Sequence, residues 1–99
     1  MVHHIVMWNF LDSLSREEKN EAGARMKELL EPIGELVEGA VSIRVVVNEL
    51  DSSNRDVALV SQFDTVEALK AYQVHPAHVE AGKFVRSVTQ NRSCMDYIV

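Results

Sequence analysis

VHHIVMWNF, from Val2 to Phe10, is the stretch that decides the fold. Its β-branched and aromatic residues read as a strand. Alternation puts His4, Val6, Trp8 and Phe10 on one face and His3, Ile5, Met7 and Asn9 on the other. Large apolar side chains stand on both faces. A strand with one wet side would alternate apolar with polar, so this strand is expected to be covered twice.

The rest of the chain supplies the covers. Ser15-Arg16-Glu17-Glu18 has the spacing of a capping box. Ala22, Met26, Leu29, Leu30 and Ile33 follow at helical intervals. Pro32 stops that helix near Leu30, a short turn spans Ile33 to Val37, and Gly39 closes the segment. Val41 to Val47 reads as strand two, Asp51 to Asn54 as a loop and Val57 to Phe63 as strand three. Asp64 or Thr65 caps a second helix running to about Val74, with Asp64 and Glu67 again at capping-box spacing. His75-Pro76-Ala77-His78 interrupts it, and Pro76 suits the first position of a new helical segment. Ala81, Phe84, Val85 and Val88 form that segment's apolar stripe, and Arg92 to Val99 reads as strand four.

The order β-α-β-β-α-β is the ferredoxin-like split motif, an α+β fold with a four-stranded antiparallel sheet. Strand two sets Ile43, Val45 and Val47 against Val46, and strand three sets Val57, Leu59 and Phe63 against Ala58 and Val60. Helices can cover only one face of this sheet. A second copy is expected on the other, through Ile5, Met7, Ala58 and Val60, making a homodimeric α/β barrel.

The 99 residues form a single domain over 1–99. Ten Lys+Arg against fifteen Asp+Glu leave a net charge of −5. That balance disfavours nucleic acid and anionic membrane surfaces as partners. The single cysteine, Cys94, cannot form an intrachain disulfide and fits a reduced, cytoplasmic setting. The start lacks a basic n-region and reads as no signal peptide. No apolar run approaches the ~20 residues that span a bilayer.

The sequence resembles the stress-responsive A/B barrel (Dabb) family over nearly its whole length. The resemblance rests on His4-Ile5-Val6, the strand-three segment leading into Phe63, the Tyr72-Gln73-Val74-His75-Pro76-Ala77-His78 stretch and Asp96-Tyr97. It implies a dimeric α+β barrel, a stress-related or small-ligand-binding role, and no cofactor. One plant member closes a linear polyketide by aldol condensation without metal or organic cofactor. Tyr72 and His78 match its catalytic pair, and His4, Val6 and Trp8 match its pocket on the first strand. Leu59, His75 and Val79 complete the expected pocket. The stretch Glu21 to Met26, where that cyclase has aromatics, has none here. A long alkyl polyketide is therefore disfavoured, and a smaller carbonyl or aromatic ligand is expected.

The chemistry fits the residue types. Aldol condensation removes a proton next to a carbonyl and stabilises an enolate. A histidine is a competent base near neutrality, and a tyrosine hydroxyl can donate to the developing oxyanion. Each residue also has a structural reading. His78 can pack or bond to backbone, Tyr72 can be core, and His75 before Pro76 fits a cap or turn. Asp96 can orient His4 or His3, or pair with Arg92 or Arg44. Cys94 reads as a small inert strand residue. Four scattered histidines, His3, His4, His75 and His78, without a thiolate cluster give no expected metal site. The competing readings are a non-catalytic ligand-binding protein, a cofactor-independent cyclase or lyase, and, by fold analogy alone, a cofactor-free monooxygenase.

Overall fold

The computed structural model describes residues 1–99. Four strands and three α-helices follow in the order β1 (Val2–Phe10), α1 (Arg16–Leu30), β2 (Ala40–Val47), β3 (Val57–Phe63), α2 (Val66–Val74), α3 (Pro76–Val88) and β4 (Thr89–Ile98). A 3₁₀ turn over Glu31–Glu35 absorbs Pro32 directly after α1. The strands lie in the order β2-β3-β1-β4, all neighbours antiparallel.

Local chemistry sets the helix starts. The Ser15 hydroxyl accepts the Glu18 N–H at 3.1 Å, and the Glu18 carboxylate accepts the Ser15 N–H at 2.9 Å. The backbone bond from Ser15 holds the Glu18 carboxyl below its ordinary pKa. Thr65 caps α2 by accepting the Ala68 N–H; the alternative cap Asp64 lies one residue too early. His75 joins α2 to α3: it ends one helix and caps the next, its ring accepting the Ala77 N–H at 3.0 Å. The cap role expected for His75 is what the structure shows.

The central strand obeys its alternation. Val2, His4, Val6, Trp8 and Phe10 are buried against the helices. Val2, Val6, Trp8 and Phe10 join Met26, Leu30, Ile33, Phe63, Leu69 and Val85 in one core. The opposite face stays open in the single chain: Met7, Val46, Val60, Met95 and Tyr97 are all exposed.

Strand four departs from expectation. It begins at Thr89, not Arg92, because Thr89 and Gln90 already pair with Phe10 and Asn9. Polar residues at an edge strand carry no apolar alternation, so the sequence conceals its start. Met7 pairs with Ser93 and Asn9 with Gln90, so Asn91 and Arg92 together stand opposite the single Trp8. This is a β-bulge. Asn91 takes the left-handed conformation at φ 57°, which Asn tolerates better than most residues, and its side chain bonds Asn9 at 3.1 Å. Cys94, expected as a small inert strand residue, is a free, exposed cysteine on the edge strand. Burial of the sulfur and the neighbouring Asp96 carboxylate nevertheless raise its thiol pKa.

Gly39 enters β2 at φ +88°, and a Cβ there would lie 2.7 Å from the Ala68 Cβ. Gly34 is a contrast, since its added Cβ would meet Ile43 at an ordinary 3.6 Å. Gly39→Ala is expected to lower unfolding free energy by about 2 kcal/mol or more, and Gly34→Ala by under about 1 kcal/mol. Urea titration of the two variants side by side checks the contrast.

Candidate functional site

The two-helix joint at His75-Pro76 brings Tyr72, in the last turn of α2, over His78, in the first turn of α3. Their ring centroids are 4.4 Å apart, edge to face. Tyr72 also meets Phe63 at 5.1 Å and His4 at 6.3 Å. It is completely buried, yet its hydroxyl has no hydrogen-bond partner in the protein. Burial alone raises its pKa well above the ordinary phenol value, so it remains a protonated donor.

The His78 Nδ1 lies 3.1 Å from the Gln73 carbonyl oxygen. A carbonyl only accepts, so Nδ1 carries the proton and Nε2 keeps its lone pair. This bond also satisfies one of the free carbonyls at the end of α2. Burial lowers the His78 pKa, as do His4, Arg86 and Arg92, while the Gln73 bond works the other way. The net direction is down, which favours neutral imidazole at neutral pH.

On the sheet below, the His4 Nδ1 bonds the Asp96 carboxylate across the β1–β4 pair. The carboxylate accepts, so His4 too carries its proton on Nδ1. The buried Ser61 hydroxyl donates to the His4 carbonyl at 2.7 Å and fixes the strand at this point. His4 Nδ1, Cys94 Sγ and an Asp96 oxygen lie within 4.8 Å of one another. They are the residues that could approach a cation, which would displace the His4–Asp96 proton. Of the other histidines, His3 stacks on Tyr97 on the opposite face, and the His75 ring is occupied by its cap.

These groups surround a cavity of about 180 Å³ between sheet and helices. His4, Val6, Trp8 and Leu59 form its floor; Tyr72 and His78 stand over it. All six were expected there. His75 and Val79 were expected too and are not part of its lining. The His75 ring turns back to its own helix start, and Val79 is about half exposed on the outside of α3. Sequence reasoning missed Leu30, Gln73, Gly82, Val85, Arg86 and Arg92 as lining residues. Helical spacing holds a signal for part of this set: His78, Gly82, Val85 and Arg86 repeat at three- and four-residue steps along α3. Arg92 is in step with Cys94 and Asp96, two and four residues on, so alternation along strand four held a signal for it too.

The fold has known counterparts. Residues 2–99 match the stress responsive A/B barrel domain. The chain belongs to that family. A crystal structure from Bacteroides fragilis, described as a dimeric protein of unknown function with a ferredoxin-like fold, is 33% identical to this Dabb protein. The alignment covers 99% of this chain and 95% of that one, with a TM-score of 0.91. Hydroxynitrile lyase from Passiflora edulis shares the fold at 14% identity and TM-score 0.75, covering 99% of this chain and 92% of the lyase. A putative antibiotic biosynthesis monooxygenase from Nitrosomonas europaea does so at 17% identity and TM-score 0.74, covering 100% and 98%. A search of curated proteins found no match.

The lowered His78 pKa makes a pH prediction for this Dabb protein. Between the folded value and the ordinary 6.5, the unfolded chain binds more protons than the folded one. His78 therefore stabilises less as pH falls through that window, and stability rises with pH across it. Urea midpoints measured from pH 7.5 down to 5 should fall more steeply for the wild type than for His78→Gln. Equal slopes would mean that the histidine is not held neutral by its site.

Proposed function

We propose that this protein is a homodimeric, cytoplasmic Dabb barrel that binds a small carbonyl or aromatic compound between sheet and helices, in a stress-related or similar ligand-handling role. The Tyr72 hydroxyl carries this reading. A buried donor left unpaired costs about 1–3 kcal/mol, and folding alone gives no reason to keep it. It borders a cavity near the ~150 Å³ known to hold a benzene ring, so a carbonyl oxygen of a single-ring-sized ligand would satisfy it. The dimer reading draws on the open apolar sheet face and on the description of the B. fragilis relative as dimeric.

The reading predicts an unusual pair of effects at one atom. Tyr72→Phe removes the unpaired hydroxyl and should leave stability unchanged or raise it by about 1 kcal/mol. The same variant should weaken binding of ring-sized ketones roughly tenfold, measured by calorimetry. A variant that is clearly destabilised would show that the hydroxyl serves the fold, and the ligand reading would lose its support. Light scattering at micromolar concentration should give a dimer mass. Val60→Glu, which puts a charge on the open sheet face, should split or unfold it.

A second reading is favoured by the tautomer of His78. With Nδ1–H held by Gln73, the Nε2 lone pair stands beside a phenol that burial keeps protonated. In this reading His78 removes a proton from the carbon next to the bound carbonyl, while the Tyr72 hydroxyl donates to the enolate oxygen. This is a cofactor-independent lyase or cyclase step. Deuterium exchange at the α-carbon of a β-keto ester, followed by NMR, tests it. The wild type should exceed buffer, and His78→Ala should lose ~10²–10⁴-fold of that rate. Exchange no faster than buffer alone leaves the binding reading and removes the catalytic one.

A further inference from the structure

The cavity has a charged mouth. Arg86 from α3 and Arg92 from β4 both line it, and neither belongs to any of the four ion pairs in the structure. Each is brought there by a specific backbone device. Gly82 lies one turn before Arg86, and a Cβ at that position would come within 3.0 Å of the Arg86 Nη1. The bare helix backbone at Gly82 thus gives the guanidinium a place to lie. Arg92 takes its direction from the β1–β4 register. Cys94 stands opposite Val6 and Asp96 opposite His4, both on the helix side, and alternation puts Arg92 on that side with them, beside Trp8. The bulge at Asn91 lets Gln90 and Thr89 go on pairing with Asn9 and Phe10 beyond it.

Asp96, the carboxylate that β4 brings to this side of the sheet, is bonded to His4. Two unpaired guanidinia therefore stand at the rim, and a buried, unpartnered phenol stands inside. We infer that the cavity takes a small carboxylate: its ring or keto end sits inside against Tyr72, and its carboxylate is held at the mouth between Arg86 and Arg92. This rests on the ligand-binding reading above and names its ligand class. The chemistry asks for a single negative charge on a compact body. A guanidinium fork recognises a planar carboxylate in two parallel hydrogen bonds.

Matched acids and amides separate the charge from the shape. Acetate, benzoate and benzoylformate are titrated calorimetrically beside acetamide, benzamide and benzoylformamide. At least one acid should bind about tenfold or more tightly than its amide, with affinity falling as sodium chloride is raised. Arg86→Gln and Arg92→Gln should each weaken that acid roughly tenfold and leave the amide unchanged. Gly82→Ala, which displaces the Arg86 head and removes no charge, should weaken the acid by a smaller factor. Circular dichroism and the thermal midpoint confirm that each variant is folded. Acids and amides binding equally, or arginine variants that bind the acid as well as the wild type, would overturn the carboxylate assignment and leave the ligand-binding reading standing. Silence from every acid and every amide would overturn both.

Discussion

Everything in this molecule hangs on the two-residue period of β1. The strand is bonded on both edges, to β3 and to β4, so it cannot slip by one residue without breaking two ladders. A slip would also send every side chain to the other face. The register therefore commits Val6, Trp8 and Phe10 to the core and His4 to the cavity floor. In the same stroke it leaves Met7, with Val60 on the neighbouring strand, on the open face. Core, site and second surface are three consequences of one pairing.

The helical layer has a different constraint. Proline cannot continue a helix past its first turn without losing a hydrogen bond and clashing with the preceding carbonyl. Pro76 divides what would be one long helix into α2 and α3, and the break leaves orphan groups on both sides. His75 and His78 repair them, one by accepting the Ala77 N–H and the other by donating to Gln73. The repair at His78 fixes a ring tautomer directly over the sheet. The bond that closes the helix end is thus the same one that orients the His78 ring. The backbone bond is the reason its Nε2 is free.

The strands and helix starts were legible because their signals are local. Val57 to Phe63 carries enough β-branched and apolar residues to mark β3 at both ends, and Ser15 with Glu18 marks α1 through two bonds made within four residues. The floor of the cavity was legible for a related reason: alternation alone puts His4, Val6 and Trp8 on one side. What escaped depended on contacts distant in sequence. Thr89 and Gln90 are strand residues only because Phe10 and Asn9 lie opposite them. Arg92 shares a face with Cys94 and Asp96 by plain alternation, but that this face looks inward is set by their pairing with Val6 and His4. His75 looked like part of the pocket because it lies beside Tyr72 and His78 in sequence, but its ring is spent on its own helix. Val79 follows His78 directly, and one step along a helix turns a side chain by about 100°, enough to carry it outside.

Charge shows most clearly why composition and site must be kept apart. The chain carries −5 overall, which speaks against polyanionic partners whose many phosphates sample the whole surface. A small ligand samples much less. Beyond about 8–10 Å the surface charges are screened at physiological salt, so at the cavity mouth it meets chiefly Arg86 and Arg92, with Asp96 already engaged by His4. The negative surface and the positive rim therefore select together. An extended anion in contact with the surface meets carboxylates along its length, and a compact monoanion within a Debye length of the rim meets chiefly the two arginines. Were the two arginines paired with neighbouring carboxylates, the same net charge would give a mouth with no preference. It is their lack of partners that gives the cavity a sign.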